Sequence, residues 1–462
     1  MKTLPPETWK VRGSVEEPVG MFTLTRAINQ HEWKRFNYYA SLIRTLHIDS
    51  GSRENMSWSA EVLTALYLHR NSEGTDLLPN LRNLIVSEYP WDRSTNTQAA
   101  VLLSRSLKSI EITPETGRED WAQSLLGYLP SSCPNLESVR VRGCKTLPCH
   151  ITEALSLMEG LRYFRCDAFV SIETCLRLFQ LPELRYLSIG ISHDEDGESA
   201  PIPGPPLPPR VVSQSLTDLD LRFKGTPYSL KLLEFCCFPV LRNINMSVDD
   251  SRLLPSSVAI LHDRCQPDLL RTFKMFLKHR SSPRQPVPRH LIDRLLRFKN
   301  LQEVDISTLP LVPPVDNTIL RKMATAWPQL SKLRMPHYKE NPQIESRITL
   351  SGLVPLAQRC PELEELQISL CITPPPLSIH LLPGRGLSES RLQTIEVHDS
   401  PVQLWIWAAG FLSGLFPELK TITSSAHRDN WEKVNATLVF FNQVRLQERG
   451  EVTAHEQLQA DS

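Results

Sequence analysis

The sequence lacks a net charge. Its 462 residues include 51 lysines and arginines and 51 aspartates and glutamates, so the formal net charge at pH 7 is zero. Proteins that bind polyanions usually carry an excess of basic residues, and the composition therefore does not support binding to nucleic acid or to an anionic membrane. A zero net charge does not exclude local surface patches of positive or negative charge.

Long hydrophobic runs are also missing. The N-terminus carries prolines and charges where a secretory signal peptide needs an apolar run. No stretch approaches the ~18 consecutive apolar residues of a membrane-spanning helix. The longest candidate, at 402–416, is interrupted by glutamine, glycine and serine, and we expect a buried helix there. Ten cysteines without a secretory signal indicate reduced thiols, so we expect a protein of the cytoplasm or nucleus that does not contact membranes.

Motifs of catalysis and metal binding are scarce as well. The stretch at 142–146, RGCKT, ends like a phosphate-binding loop, but Cys144 stands where such a loop has glycine. We find no G-x-S-x-G, no H-E-x-x-H and no paired C-x-x-C. Cys144, Cys149 and His150 are close in sequence, yet no second ligand pair follows. We therefore favour buried core thiols over zinc ligands as the role of these cysteines. We therefore expect no catalytic residues, no cofactor and no metal.

What the sequence does contain is a repeat. An apolar residue, two others, an apolar residue, one other and a third apolar residue recur in fourteen motifs, most completely in CPNLESVRVRGC at 133–144. The last motif, LKTITS at 419–424, has serine at the third apolar position. The motifs begin at Ile43, Leu81, Leu107, Leu136, Leu161, Leu184, Leu216, Leu241, Leu270, Leu301, Leu330, Leu363, Leu392 and Leu419. Their mean spacing of about 29 residues lies in the range of leucine-rich repeats.

A proline two residues before the first apolar position supports this repeat independently. It occurs in seven motifs, as Pro79, Pro134, Pro182, Pro239, Pro328, Pro361 and Pro417. Proline cannot continue a helix, so it marks the end of a helix before the next strand, and the intervening segments have apolar residues at helical spacing. The pattern predicts an α/β leucine-rich-repeat solenoid of about fourteen irregular repeats, with a curved parallel sheet on the concave face and helices on the convex face.

A doubly wound α/β sheet is the alternative fold. Such sheets have longer, nearly continuous apolar strands and phosphate-binding glycines after the first strand. Here the strands alternate apolar and polar residues, and the chain has only 18 glycines. The solenoid is therefore favoured.

The predicted organisation has four parts. Residues 1–41 form an N-terminal segment and capping helix, 42–425 the solenoid, 426–446 a C-terminal capping helix and 447–462 a disordered tail. Apolar residues at helical spacing predict the two caps, namely Trp33, Phe36, Ala40 and Ile43 at one end and Trp431, Val434, Leu438 and Phe441 at the other. The acidic and proline-rich stretch at 193–210 is predicted as an exposed loop rather than a docking peptide.

The concave face of the solenoid is the predicted binding surface. Side chains alternate along a strand, so the third, fifth and seventh residues of each motif point to this face. Charges of both signs occur there, which suits a protein partner better than a polyanion, and arginine and tyrosine are typical anchor residues. The candidate partner-binding residues are Arg140, Arg142, Tyr163, Arg165, Tyr186, Lys332 and Arg334. For any single one, an ordinary solvated sheet face is the alternative.

The second position of the motif is basic in eight of the fourteen repeats. These residues are Arg44, Arg82, Lys108, Arg162, Arg185, Arg242, Arg271 and Lys420. This row has two explanations that fit equally well. It could form a ledge for an acidic partner, or the long side-chain stems could cover apolar strand edges.

Three segments, LPPETWKV, HEWKRFNYYASLIRTLHI and LLPNLRNLIV, resemble the F-box leucine-rich-repeat proteins that are numerous in mushroom-forming fungi. The resemblance extends to the closing segment WEKVNATLVFFNQVR. It implies that the repeats hold a protein substrate for ubiquitin transfer and that an F-box of three helices binds a cullin-ligase adaptor. Residues 1–30 have no helical apolar periodicity, so we expect the F-box itself to be absent from this chain. Either it lies upstream of Met1, or the protein does not engage the adaptor.

The residues and the resemblance together predict a non-catalytic, monomeric protein-binding domain. Its leading predicted role is substrate recognition in an F-box-type ubiquitin ligase. A stand-alone protein-interaction scaffold or inhibitor with no ubiquitin role is the alternative. An enzyme is disfavoured because no nucleophile–base pair or metal set is present.

Overall fold

The computed structural model describes most of the chain. The described residues are 5–14, 17–49, 57–58, 60–73, 76–87, 95–114, 119–145, 147–192, 211–224, 228–278, 287–288, 290–309, 311–336, 346–372, 390–441 and 443–444. The chain divides into two compact units, Met1–Phe238 and Pro239–Ser462. The predicted loop at 193–210 and the predicted tail at 447–462 lie outside the described residues.

The first unit alternates strands and helices. Its strands are β1 (Trp9–Ser14), β2 (Glu17–Leu24), β3 (Thr45–Asp49), β4 (Ser57–Trp58), β5 (Asn83–Ser87), β6 (Ser109–Thr113), β7 (Ser138–Val141), β8 (Tyr163–Val170), β9 (Tyr186–Ser192), β10 (Val211–Val212), β11 (Asp218–Lys224) and β12 (Cys236–Cys237). Its helices are α1 (Gln30–Ala40), α2 (Ala60–Glu73), α3 (Thr95–Leu102), α4 (Asp120–Ser132), α5 (Cys149–Ser156), α6 (Ile172–Phe179) and α7 (Tyr228–Phe235).

The second unit alternates in the same way. Its strands are β13 (Asn243–Val248), β14 (Thr272–Leu277), β15 (Val287–Pro288), β16 (Glu303–Asp305), β17 (Leu311–Val312), β18 (Lys332–Arg334), β19 (Glu365–Gln367), β20 (Thr394–Glu396) and β21 (Thr421–Thr423). Its helices are α8 (Leu254–Arg264), α9 (His290–Leu295), α10 (Asn317–Ala326), α11 (Val354–Arg359), α12 (Trp405–Leu415) and α13 (428–441).

Each unit contains a parallel sheet in which every strand comes from one repeat motif. In the first unit the order is β3, β5, β6, β7, β8, β9, β11, and in the second it is β13, β14, β16, β18, β19, β20, β21. Equivalent apolar positions stand side by side and are buried, as for Val139, Phe164 and Leu187. The predicted α/β leucine-rich-repeat solenoid is therefore confirmed, because all fourteen motifs supply a strand and helices alternate with those strands.

The turn from helix to strand explains why the same spacing of proline and leucine recurs from repeat to repeat. In the turn at 133–136, the backbone N–H of Leu136 donates to the carbonyl of Cys133 at 3.1 Å, with Pro134 in between. Proline favours the second position of such a turn and forces the residue before it out of the helical conformation, as seen at Cys133 (φ −131°, ψ 64°). The same bond, at 3.1–3.5 Å, is accepted by Leu78, Leu181, Trp327, Cys360 and Phe416.

The N-terminal residues contain strands that the sequence did not predict. Strands β1 and β2 form an antiparallel pair, and β4 pairs with β2. The rings of Trp9 and Phe22 pack across the pair at 5.0 Å. Helix α1 ends at Ala40, so the prediction that Ile43 lies on the same helical face is wrong, because residues 41–44 turn the chain into β3.

The C-terminal helix covers the last repeat. Its residues Trp431, Val434 and Leu438 are buried, and the indole N–H of Trp431 donates to the carbonyl of Ser400 at 2.8 Å. Within the described part of the chain, no helix is long and apolar enough to cross a membrane.

Candidate partner-binding face

Five of the seven candidate residues lie together on the sheet of the first unit. Arg140 is the register partner of Arg165, and Tyr163 is the register partner of Tyr186. Arg142 follows directly after β7. These side chains alternate with buried positions, and they are half-buried except for Arg142, which is exposed. We call these five residues the arginine–tyrosine patch.

The two tyrosines form the centre of this patch. The rings of Tyr163 and Tyr186 stack in parallel, with their centroids 4.2 Å apart and their planes at 5°. The guanidinium carbon of Arg140 lies 4.7 Å from the centroid of the Tyr163 ring, a cation–π distance. Burial, followed by the neighbouring Tyr163, raises the pKa of Tyr186 above its ordinary value of 10.0. The two stacked rings therefore form one aromatic surface, which we call the tyrosine wall.

The arginines of the patch have few close carboxylate partners. Glu111, on the adjacent strand β6, lies 3.1 Å from Arg142 Nε and 3.7 Å from Arg140 Nη1. Asp167 lies 3.8 Å from Arg165 Nε and also 3.8 Å from Arg222 Nη1. Two carboxylates are thus shared among four guanidinium groups, and only the contact between Arg142 and Glu111 is within hydrogen-bond distance.

Several guanidinium donors on this face have no acceptor. Among the described residues, the Nε atoms of Arg140, Arg165 and Arg222 are buried and make no hydrogen bond. Burial alone would lower the pKa of Arg165, but the carboxylate of Asp167 and the adjacent tyrosines raise it above its ordinary value, so this side chain is charged at neutral pH. A buried donor without an acceptor costs about 1–3 kcal/mol, which an incoming acceptor can recover.

The structure also places two residues at the patch that the sequence analysis did not select. Glu111 is the fifth residue of its motif and faces Arg140, so the alternation rule would have found it. Arg222 reaches back to donate to the carbonyl of Cys166 at 2.5 Å. The register between β8 and β9 is irregular beyond Arg165, and Phe169 pairs with Gly190. A Cβ on Gly190 would lie 2.7 Å from the Phe169 ring, so glycine leaves room for that ring.

The other two candidate residues, Lys332 and Arg334, lie on the sheet of the second unit. Arg334 contacts Asp305 at 3.2 Å and Glu365 at 2.8 Å, on the strands to either side. Asp305 is buried, with 3% of its side chain exposed. Arg334 is therefore held by two carboxylates within the protein, unlike the arginines of the patch.

The basic row at the second motif position is partly neutralised. Glu137 lies between Lys108 at 2.8 Å and Arg162 at 3.5 Å, and Arg162 also approaches Glu183 at 3.7 Å. The hydrogen bond from Lys108 lowers the pKa of Glu137 below its ordinary value. At these strands the row is a surface ion-pair ladder, which contributes little to stability.

The thiols belong to the core. Cys144 is buried, as predicted, and so are Cys133, Cys265 and Cys360. Burial raises the pKa of Cys144 to about 12. In the described ranges, no group of three or more histidine, cysteine, aspartate or glutamate side chains is arranged to hold a metal ion.

No protein-family model matches the chain, and no curated protein matches it. One solved structure that it resembles is described as the crystal structure of the Rad7 and Elc1 complex in yeast. The match has a TM-score of 0.39 and 15% sequence identity, and covers 80% of this chain and 87% of that chain.

Proposed function

We propose that this protein is a non-catalytic, protein-binding leucine-rich-repeat domain that holds its partner on the arginine–tyrosine patch. The observation that supports the proposal is the stacked tyrosine pair between arginines whose Nε donors lack acceptors. The few residues that contribute most to binding in protein interfaces are enriched in tyrosine, tryptophan and arginine. Arg334 is left out of the proposed surface because it would have to give up two carboxylates to bind a partner.

Substrate recognition in an F-box-type ubiquitin ligase is the finer form of this proposal. Its support is the sequence resemblance of the N-terminal and first repeat segments to F-box leucine-rich-repeat proteins. In that role the sheet face would hold the protein to be ubiquitinated, and a cullin-ligase adaptor would be a second partner. A stand-alone scaffold or inhibitor uses the same face without the adaptor.

To test this, the protein is tagged at its C-terminus and affinity-purified from its native host, and the proteins that co-purify are identified by mass spectrometry. We expect a specific set of partners that is lost when Arg140, Arg142 and Arg165 are all changed to Glu. A matched control changes Arg44, Arg82 and Arg185 to Glu, which alters the charge equally at exposed positions of the same unit. Circular dichroism checks that both variants remain folded.

The outcomes separate the alternatives. Recovery of a cullin-ligase adaptor with the partners supports the ligase role, and recovery of partners without any adaptor supports the stand-alone scaffold. If the patch variant retains all partners while the control variant loses them, the binding surface is the basic row and the proposal is wrong.

A further inference from the structure

The charge of the arginine–tyrosine patch indicates what kind of group it can accept. Four guanidinium groups on this face stand beside three carboxylates, the former from Arg140, Arg142, Arg165 and Arg222 and the latter from Glu111, Asp167 and Asp220. One positive charge is therefore left over on the patch. This excess matches a single monoanionic group.

The distances around Arg165 show that this excess charge is available. Its contact with Asp167 is long, at 3.8 Å, and Asp167 is shared with Arg222. The Arg165 side chain is 42% exposed and the Arg140 side chain 41%. In the second unit, by contrast, Arg334 makes contacts of 2.8 and 3.2 Å with two carboxylates. Arginine pairs best with a planar carboxylate, through two parallel hydrogen bonds, and Arg165 has no such partner among the described residues.

The spacing of the patch adds a second requirement. Tyr163 and Arg165 are two residues apart on β8 and point to the same face, so they are separated by roughly 7 Å along the strand. In an extended peptide, side chains two residues apart also share a face at that distance. A segment lying along β8 can therefore place an apolar side chain on the tyrosine wall and a carboxylate on the arginines at once.

We propose that the arginine–tyrosine patch recognises an extended acidic segment of a protein partner, with an aspartate or glutamate carboxylate bound between Arg140 and Arg165 and an apolar side chain two residues away packed on Tyr163 and Tyr186. The inference rests on the proposed function and specifies the chemistry of its partner. A carboxylate fits better than a phosphate because Glu111, Asp167 and Asp220 surround the arginines and would repel a dianion.

The first experiment selects a phage-displayed library of random dodecapeptides on the immobilised full-length protein. We expect enrichment of sequences in which Asp or Glu stands two positions from an aromatic or aliphatic residue. Selection on Arg165→Ala is expected to lose the acidic preference, and selection on Arg321→Ala, an exposed arginine on helix α10 of the other unit, is expected to keep it. If Arg165→Ala does not fold, Arg165→Lys is used in its place, because lysine keeps the charge but cannot make two parallel hydrogen bonds to a carboxylate.

The second experiment measures fluorescence anisotropy with the most enriched peptide, labelled with fluorescein. Changing its acidic residue to the amide should weaken binding by about tenfold, as should Arg165→Ala in the protein, equivalent to about 1.4 kcal/mol. A phosphoserine in place of the acidic residue should bind no more tightly than the parent peptide. Tighter binding of the phosphopeptide, an unchanged affinity of the amide, or a library without acidic enrichment overturns the inference.

The failure of this inference can be distinguished from the failure of the proposed function. In one outcome, changing both Tyr163 and Tyr186 to Ala abolishes binding of native partners or selected peptides, but this binding does not require an acidic residue in the partner. The patch then binds proteins by other chemistry, and only the inference fails. If binding is indifferent to the tyrosines and the arginines alike, both fail.

Discussion

Glu32 connects the N-terminal strands to the first helix through a single buried carboxylate. It accepts hydrogen bonds from two Arg26 nitrogens at 2.7 and 3.0 Å, from the backbone of Asn29 at 2.9 Å and from the Thr8 hydroxyl at 3.2 Å. The backbone of Glu32 in turn donates to the Asn29 side chain, which completes a capping box. The bond from Arg26, followed by that from Asn29, lowers the pKa of Glu32 from 4.5 to about 2.

This lowered pKa makes stability depend on pH in a defined window. Below pH 4.5 the unfolded chain binds a proton at Glu32 that the folded protein does not, so the stabilisation is complete above that pH and is lost as the pH falls towards 2. We expect Glu32→Gln to destabilise the protein at pH 7, with the difference from wild type shrinking between pH 4.5 and 2. Urea unfolding at several pH values measures this. Glu159→Gln, at an exposed carboxylate, is the control.

Buried thiols lead to a second prediction for individual residues. Burial raises the pKa of Cys166, Cys236 and Cys360 to about 12, so the reactive thiolate is scarce in the folded protein. We expect iodoacetamide at pH 8 to leave these three unmodified while it alkylates the half-buried Cys237 and Cys371. Peptide mass spectrometry before and after denaturation measures the difference. Rapid native alkylation of Cys360 would contradict its burial.

The helices and strands are joined by hydrogen bonds that recur from repeat to repeat. An asparagine just before the first leucine donates to a carbonyl of the preceding repeat, as Asn80 does to Ser41 at 2.7 Å and Asn135 to Arg105 at 3.1 Å. Strand β21 is the last strand in the described sheet of the second unit. The side-chain amide of Asn435 on α13 makes two hydrogen bonds to this strand: its oxygen accepts from the N–H of Ile422 at 2.9 Å, and its nitrogen donates to the Ile422 carbonyl at 2.8 Å.

Removing this amide should expose the end of the sheet. Asn435→Ala leaves both backbone groups of Ile422, a buried residue, without these bonds, and we expect a loss of about 2 kcal/mol in the free energy of unfolding. Asn435→Asp keeps the acceptor but loses the donor, and should be intermediate or worse. Glu432→Ala, at an exposed position of the same helix, is the control. Equal urea midpoints for Asn435→Ala and this control would show that the amide does not stabilise the strand.

The two units have sheet faces of similar composition but different pairing. In the second unit, the Nζ atom of Lys274 lies 2.9 Å from Glu303, and Arg334 bridges Asp305 and Glu365. In the first unit, the guanidinium groups of Arg140 and Arg165 contact carboxylates only at 3.7–3.8 Å. The charged side chains of the second face therefore pair closely with one another, whereas Arg140 and Arg165 in the first unit have no carboxylate within hydrogen-bond distance.

This contrast predicts opposite effects of two arginine substitutions. Arg334→Ala leaves the nearly buried carboxylate of Asp305 without its cation, and we expect the unfolding free energy to fall by about 2 kcal/mol. Arg165→Ala removes a side chain with one long contact, so we expect little loss of stability and a loss of partner binding. Urea unfolding of both variants beside Lys332→Ala tests this. A larger destabilisation by Arg165→Ala than by Arg334→Ala would reverse the assignment.

Much of the fold could be predicted from the sequence because its causes are local. The alternation of apolar residues along each strand and the turn chemistry of Pro134 or Pro361 operate within one repeat, and recurrence at a fixed spacing identified the solenoid. The pair of β1 and β2 was not predicted because it depends on contacts between distant residues, such as Trp9 with Phe22, and no repetition marks it.

The sequence by itself determined that Arg140, Arg165 and Arg334 point to the same kind of face, since each is the fifth residue of its motif. Only the tertiary structure decided that Arg334 is held between two carboxylates while Arg140 and Arg165 are not. The physical reason is that charge pairing depends on separations of a few ångströms between side chains on neighbouring strands. Those neighbours come from other repeats, and no pattern within one repeat specifies these distances.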